Sequence, residues 1–245
     1  MSNEGWKNLL QQGVPGGSSS VNGNDLLNKF MGSGVGGGLL GGVLAGGLTG
    51  LMAGKGGKKF AKSALKLGGA AAVGGLAYAA YSRYRQRSAA AGQAPAQSAA
   101  FPASAAFDSP PTDSGFLPPS SETAAQSAMG LAIIRAMIAA AKADGHIDDT
   151  ERGRIFEQIK TVDLSADEKA FLLEELASPL DIDAIVKLGV TPEVSTELYA
   201  ASLLAANPDT PAEKAYLQML AARLGLEQAL VDQIHETVLS ATQQQ

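Results

Sequence analysis

The sequence predicts an all-α protein in which a glycine-rich transmembrane helix and a disordered linker precede a C-terminal multi-helix bundle. Residues 34–54 carry no charged side chain over 21 positions, which is about the length needed to cross the hydrocarbon core of a bilayer. From residue 122 onward, apolar side chains recur at the helical period behind capped helix starts, and no strand pattern competes with them. These observations, together with a regular glycine spacing, indicate the fold class.

Composition excludes several kinds of chemistry. The chain of 245 residues has no cysteine, which excludes disulfides, thiolate catalysis, iron–sulfur clusters and cysteine-based zinc sites. It has two histidines, which leave little for metal clusters or nucleophile–base triads. His146 is expected to be an exposed loop residue, and His235 is expected to be solvent-facing or helix-terminal. A net charge of -5 argues against a protein that coats nucleic acid. We therefore expect no catalytic residue and no nucleic-acid partner.

Charge and glycine content divide the chain into two unlike parts. Residues 1–119 hold 10 Lys and Arg against 4 Asp and Glu, together with 24 of the 29 glycines. Residues 120–245 hold 9 Lys and Arg against 20 Asp and Glu. The two parts therefore have different physical tasks, the first beside a membrane and the second as a folded acidic domain.

Two segments of the chain are expected to lack a packed structure. Residues 1–33 form a polar N-terminal region, expected to be disordered apart from a brief helix capped by Asn24 or Asp25. Residues 88–121 are rich in Ala, Ser and Pro, a composition that buries too little apolar surface to offset the entropy of ordering. This second segment is predicted to be a flexible linker.

Glycine recurs at every fourth position of the uncharged stretch. In water each glycine destabilises a helix by roughly 1 kcal/mol relative to alanine. In the hydrocarbon core no water can bond the backbone N–H and C=O groups, so the chain must form a helix there. The repeated G-x-x-x-G spacing forms a smooth strip on one helix face, where a second helix can approach closely. The sequence therefore predicts a membrane helix that self-associates, rather than a flexible glycine linker. The strip consists of Gly34, Gly38, Gly42, Gly46, Gly50 and Gly54.

Residues 34–87 as a whole are predicted to be a membrane segment with a basic flank. A second apolar run, residues 67–81, could form a hairpin with the first or lie at the membrane interface. If residues 34–54 alone span, the positive-inside rule puts the C-terminal domain in the cytoplasm, whereas a span by residues 67–81 alone puts it in the periplasm. The first arrangement is preferred because its run is longer. The side chains expected to meet lipid headgroups are Lys55, Lys58, Lys59, Lys62, Lys66, Arg83, Arg85 and Arg87.

Residues 122–245 are predicted to be an acidic all-α domain of about seven helices. Asp148, Ser165 and Thr210 begin capping-box spacings, and Thr191 and Ser178 precede prolines at two further predicted starts. An amphipathic stripe follows each start, and the remaining acidic pairs are expected to lie on solvated faces.

A weak internal repeat relates residues 140–159 to residues 202–221 at an offset of 62. Its two copies, AAKADGHIDDTER and AANPDTPAEKAYLQMLAARLGL, and the glycine-rich segment ahead of them resemble the YebE-type family of inner-membrane proteins of unknown function. The C-terminal domain is similar to the TerB tellurite-resistance fold, a compact all-α module associated with membrane and stress systems. The resemblance covers residues 25–85 and 122–242.

This resemblance implies a divalent cation, such as calcium, because acidic residues at the two turns bind metal in some members. The second copy has Asn207 where a carboxylate is expected, so it departs from a symmetric site. Helix capping accounts for Asp148 and Glu151 as well. The candidate ligands carried over by position are Asp144, Asp148, Glu151, Asp209 and Glu213.

The sequence thus favours a membrane-anchored, non-enzymatic interaction or sensing module of the bacterial inner membrane, related to stress, with a cytoplasmic C-terminal domain and an unidentified protein partner. Two alternatives stay open. One is a metal-dependent hydrolase that uses the acidic turns, against which the scarcity of His and Cys argues. The other is a structural protein that organises the membrane through its glycine-rich segment.

Overall fold

The computed structural model describes residues 21–32, 69–90, 110–111, 114–119, 121–143, 165–206, 208 and 210–243. Within these residues the chain forms eight α-helices and no strand, which confirms the predicted all-α class. The helices pack around one apolar core, as expected of a multi-helix bundle. They are α1 Gly23–Gly32, α2 Gly69–Ala90, α3 Thr123–Ala141, α4 Ala166–Ala177, α5 Ile182–Leu188, α6 Pro192–Ala206, α7 Pro211–Arg223 and α8 Gln228–Gln243.

α3 is the central helix of the bundle. Every residue from Ala128 to Ala141 is buried, because apolar and small side chains surround the helix instead of forming one stripe. α6 packs along α3, and α1 packs against it as well. Of the described helices, α3 alone is long and apolar enough to cross a membrane, with a mean hydropathy of 1.5, and 78% of that window is buried in the protein. A buried core helix passes the same test.

α1 crosses α3 where two glycines meet. A Cβ on Gly130 would lie 2.3 Å from the carbonyl carbon of Gly23, and a Cβ on Gly23 would lie 2.0 Å from the carbonyl oxygen of Ser127. The Gly23 amide also donates to Ser127 Oγ at 2.8 Å. The crossing is this close because neither helix carries a side chain at the contact.

The cap of α1 differs from the prediction. Oδ1 of Asn22 accepts hydrogen bonds from the backbone amides of Asn24 and Asp25, both at 3.2 Å. Asn22 is therefore the N-cap of α1, whereas Asn24 and Asp25, which were predicted to cap it, lie in its first turn. The helix takes part of the predicted N-terminal region, residues 1–33, into the bundle. Its buried apolar side chains are Leu26, Leu27 and Phe30.

α2 contributes one face to the same core and contacts α6 and α8. The second apolar run, predicted as a hairpin arm or an interfacial helix, is a helix of the bundle over its described residues. The described bundle is therefore larger than the domain predicted at residues 122–245. The buried apolar side chains of α2 are Val73, Leu76, Ala77 and Ala80.

A short segment that precedes α3, residues 114–119, lies across α2 and is named the strap. Gly115 has a φ of 81°, which glycine adopts without steric cost. Ser114 closes the preceding turn, because its amide and its hydroxyl both donate to the carbonyl of Pro111, at 2.9 and 2.6 Å. The strap thus fixes part of the predicted linker on the bundle.

Three predicted helix starts are confirmed. Ser165 caps α4 and Thr210 caps α7, each in a capping box with the glutamate three residues later. Ahead of α6, Oγ1 of Thr191 accepts from the amide of Val194 at 3.3 Å. The start predicted at Asp148 lies outside the described residues.

The start predicted at Ser178 is wrong. Ser178 ends α4, and its hydroxyl donates to the carbonyl of Glu174 at 2.8 Å. α5 begins instead after Asp181, whose carboxylate accepts from the amide of Ala184 at 3.0 Å. The aspartate is three residues nearer to the apolar stripe, which explains why it provides the cap.

The 62-residue separation of the two repeat copies is also found between described helices. α4 begins at Ala166 and α8 begins at Gln228, 62 residues later. α3 and α6, which end within the first residues of the two repeat copies, pack against each other. These positions agree with the predicted pair of similar halves that pack face to face.

Candidate functional site

A carboxyl group lies inside the bundle without a hydrogen-bond partner among the described residues. Glu197 of α6 is 0% exposed, and neither of its side-chain oxygens meets a donor there. Other buried polar groups on α6 are satisfied: Oγ1 of Thr196 donates to the carbonyl of Pro192 at 2.6 Å, and Oγ of Ser202 donates to that of Ala136 at 3.3 Å. Glu197 is therefore unusual, because these other buried polar side chains of α6 have hydrogen-bond partners and because burying an unpaired carboxylate is costly.

α2 and the strap enclose this carboxyl. A Cβ on Gly74 of α2 would lie 2.9 Å from Oε1 of Glu197 and 2.9 Å from Cγ of Leu117, a strap residue. A Cβ on Gly115 would lie 3.3 Å from Cγ of Glu193, one turn earlier on α6. The strap therefore lies against Glu193 at Gly115 and against Gly74 at Leu117, and α2 reaches Glu197 because position 74 has no side chain.

Phe116 attaches the strap to α2. The ring is 1% exposed and meets the edges of two tyrosines, with centroids 5.6 Å from Tyr78 and 5.4 Å from Tyr81. Such aromatic pairs stabilise beyond the area that they bury. The enclosure of Glu197 thus depends on a cluster of three rings beside it.

The surroundings of Glu197 favour its protonated form. Burial raises the pKa of Glu197 well above its ordinary value, and the nearby charge of Glu193 raises it further. A protonated carboxyl is neutral, so a core tolerates it far better than an unpaired carboxylate. The site can hold one proton, and release of that proton would leave a charge inside the bundle.

A second buried polar contact joins α6 to α8. The hydroxyl of Tyr199 lies 2.8 Å from Nε2 of His235. Burial raises the pKa of Tyr199 to about 12, an effect that Asp232 strengthens, and burial lowers the pKa of His235, which Asp232 partly opposes. The neutral imidazole can accept the tyrosine proton. His235 is therefore half-buried, not solvent-facing, and it fixes α8 on α6.

Of the five predicted metal ligands, the structure describes one. Oε2 of Glu213 accepts from the amide and the hydroxyl of Thr210, both at 2.9 Å, inside the capping box of α7. The described part of the chain contains no group of three or more His, Cys, Asp or Glu that could hold a metal ion. The divalent cation therefore stays a prediction. The ligands outside the described residues are Asp144, Asp148, Glu151 and Asp209.

The glycine strip and the five lysines after it lie outside the described residues. The three arginines lie on α2, where Nη1 of Arg83 donates to Oγ1 of Thr237 at 3.2 Å. Nη1 of Arg87 lies 3.4 Å from Oε2 of Glu236 in an exposed pair, and Arg85 is exposed. Two of the predicted headgroup contacts are thus also contacts to α8, and their binding to lipid stays a prediction.

Sequence patterns did not indicate Glu197 as a functional residue. Solvated faces were expected only for the acidic pairs Glu174–Glu175 and Asp181–Asp183. Glu197 falls three residues after Val194 and four before Ala201, both in the buried stripe of α6. A carboxylate at a stripe position is the signal that could have identified it.

A family model described as protein of unknown function (DUF533) matches residues 38–238. The matched range holds most of the uncharged stretch, all of α2 to α7, and the first part of α8. No curated protein and no solved structure matches the chain.

Proposed function

We propose that this chain, which belongs to the DUF533 family of proteins of unknown function, is a membrane-attached, non-enzymatic helical module that binds a protein partner through its bundle. Attachment to the inner membrane and a role in stress are the finer parts of this proposal. Both follow from the resemblance to YebE-type proteins and to the TerB fold.

The uncharged stretch at residues 34–54 carries the proposal. Its 21 residues hold no charge and almost no polar filler, whereas a soluble linker of this length would be expected to be rich in Ser and Gln. The five lysines that follow it suit the anionic headgroups of a cytoplasmic leaflet. The family match includes most of this stretch together with the bundle, which favours a common task for both.

The helices on either side of the stretch favour an attachment from one face of the membrane. α1 precedes the stretch and α2 follows it, yet both pack on the same bundle and contact each other. A single crossing would place the two helices on opposite sides of the bilayer. We therefore favour a hairpin formed within the uncharged stretch itself, instead of the hairpin with residues 67–81 that the sequence left open, with entry and exit on the cytoplasmic side.

The length of the stretch limits how deep such a hairpin reaches. Two full spans need about 40 apolar residues, and the uncharged stretch has 21. Two helical arms of about 10 residues each would reach about 15 Å, roughly half the hydrocarbon core. The turn between them would expose backbone groups unless protein covers it, and self-association through the glycine strip supplies that cover.

The rest of the proposal concerns the bundle. The surplus of acid in residues 120–245 suits a partner with a basic surface. The non-enzymatic assignment rests on composition: the chain lacks cysteine, and His235 is already bonded to Tyr199. A divalent cation at the acidic turns would add sensing to this role, and a hydrolase that uses such a cation is the alternative.

Charge placed in the stretch tests the attachment. The full-length wild-type protein is expected to resist alkaline carbonate extraction from membranes. The double variant Leu44→Arg, Leu48→Arg is expected in the soluble fraction, because each arginine at membrane depth costs about 2.5–3.5 kcal/mol. Extraction of the wild-type protein by carbonate would overturn the proposal.

An apolar double substitution in the same stretch is the matched control. Gly42→Leu with Gly46→Leu keeps the stretch uncharged, so this variant is expected to stay in the membrane. It should, however, lose the crosslinked dimers of the wild type, because the leucines fill the glycine strip. Unchanged crosslinking would exclude self-association through that strip and leave the attachment itself intact.

A further inference from the structure

α2 is held to the bundle by two unlike sets of contacts. Its N-terminal half packs apolar side chains against α6, with Gly74 against Glu197 and Leu117. Its C-terminal half makes polar contacts to α8, and the exposed Arg87–Glu236 pair of that set contributes little to stability. The packing around Gly74 is therefore one of the buried contacts that hold α2 on the bundle, and it is the one that includes a carboxyl.

The side chains on α6, α3 and α2 provide no positive charge that would stabilise Glu197 as a carboxylate. On its own helix the nearby charge is Glu193, which is of the same sign. On α3, Arg135 bonds Glu175 instead, at 2.5 Å. On α2 the titratable group closest in sequence to Gly74 is Tyr78, whose ring packs on Phe116 of the strap.

The strap, α5, α7 and α8 provide no cation to Glu197 either, and the basic side chains of α5 and α7 (Lys187, Lys214 and Arg223) are exposed. Residues 114–119 of the strap contain no ionisable side chain. On α8, His235 bonds Tyr199 and lies under the influence of Asp232. Within the described residues, a carboxylate at position 197 would therefore have neither water nor a positive partner.

We propose that Glu197 is a proton-binding site that controls the docking of α2: the protonated carboxyl permits the closed joint of α2, α6 and the strap, and loss of the proton releases α2. The step moves one proton from the carboxyl to solvent and leaves a carboxylate that needs water. Because Gly74 of α2 lies against this carboxyl and against Leu117 of the strap, α2 and the strap are the elements expected to separate from α6.

The direction of the pH dependence follows from the raised pKa of Glu197. Docking is complete below the ordinary pKa of 4.5 and weakens as the pH rises through the raised value. Between the ordinary and the raised value the ratio of docked to released α2 falls by about tenfold for each unit of pH, and above the raised value it levels off, because the carboxyl is then ionised in both states. Titration of His235 would act in the opposite direction, because burial lowers its pKa and its protonation at low pH would weaken the bundle.

The experiment uses the cysteine-free full-length chain in detergent, with spin labels at Gln86→Cys of α2 and Ala229→Cys of α8, both exposed. Distance distributions are recorded from acidic to alkaline pH. The short distance of the docked state is expected to lose population as the pH rises. In the Glu197→Gln variant, which keeps the volume and cannot ionise, the short distance should persist at every pH.

A second variant and an infrared measurement test whether Glu197 itself is the group that loses the proton. Glu193→Gln is the matched control one turn away, and because Glu197 can still ionise in this variant, the short distance should still lose population as the pH rises. The infrared band of a protonated carboxyl should disappear together with the short distance and be absent in Glu197→Gln. A pH-independent distance in the wild type, the same transition in Glu197→Gln, or a transition of opposite direction would overturn the proposal.

Discussion

Replacing Phe116 by alanine is expected to lower the free energy of unfolding by about 3–5 kcal/mol, the usual cost of truncating a buried phenylalanine. The ring is 1% exposed and packs on both Tyr78 and Tyr81. Its loss removes the contact that holds the strap on α2. Equilibrium unfolding by denaturant, monitored by helical circular dichroism, measures the change.

The same variant should affect the carboxyl beneath the strap. Because Leu117 follows Phe116 directly and lies beside Gly74, which Glu197 also approaches, a loosened strap is expected to admit water to the carboxyl and to bring its pKa toward the ordinary value. Phe116→Leu keeps an apolar side chain at the position and should lose much less stability. A loss below about 1 kcal/mol in Phe116→Ala, the range of a surface substitution, would show that the strap is not anchored by this ring.

Replacing Gly130 by alanine is expected to release α1 from α3 and to destabilise the protein by about 1–3 kcal/mol, the usual cost of overpacking. The new Cβ would lie 2.3 Å from backbone atoms of Gly23, which cannot turn aside as a flexible side chain can. The cost should exceed the roughly 1 kcal/mol that alanine gains over glycine in a helix. Unfolding by denaturant gives the free energy, and limited proteolysis reports the release of α1.

Gly225→Ala is the control for this substitution. A Cβ at Gly225 meets nothing within 4 Å, but the residue has a φ of 68°. Its cost is therefore the strain of a left-handed conformation, about 1–2 kcal/mol, and α1 should remain protected from protease. If α1 stays protected in Gly130→Ala as well, the close crossing of α1 and α3 is contradicted.

The helical class and most element positions could be predicted because they are local properties. Capping at Ser165, Thr191 and Thr210 depends on a few adjacent residues, and each of these starts is confirmed. The wrong start at Ser178 shows the limit of such patterns, since a nearby Asp181 competed for the same helix. The docking of α1 and α2 depends on contacts across long separations in sequence, such as the one between Gly23 and Gly130, and no periodicity records these.

The candidate site was less predictable than the fold for the same reason. A glutamate in the stripe of α6 is visible in the sequence, but its burial depends on Gly74 and Leu117, which approach from α2 and the strap. Glycine was expected to permit close helix contact within residues 34–54, and in the described residues it does so at Gly74 and at the crossing of α1 and α3. Glycine thus correctly indicated that helices approach closely, but the sequence did not show which helices meet at each glycine.

Attachment of the bundle to one face of a membrane is tested most directly by the sidedness of two positions that flank the uncharged stretch. Single cysteines at Ser18 and at Gln86 of the cysteine-free chain are reacted with a membrane-impermeant maleimide in sealed vesicles of both orientations. We expect both positions to react only in inverted vesicles, in which the cytoplasmic face is outward. Reaction of the two cysteines in vesicles of opposite orientation would contradict this account, because α1 and α2 could not then belong to one bundle.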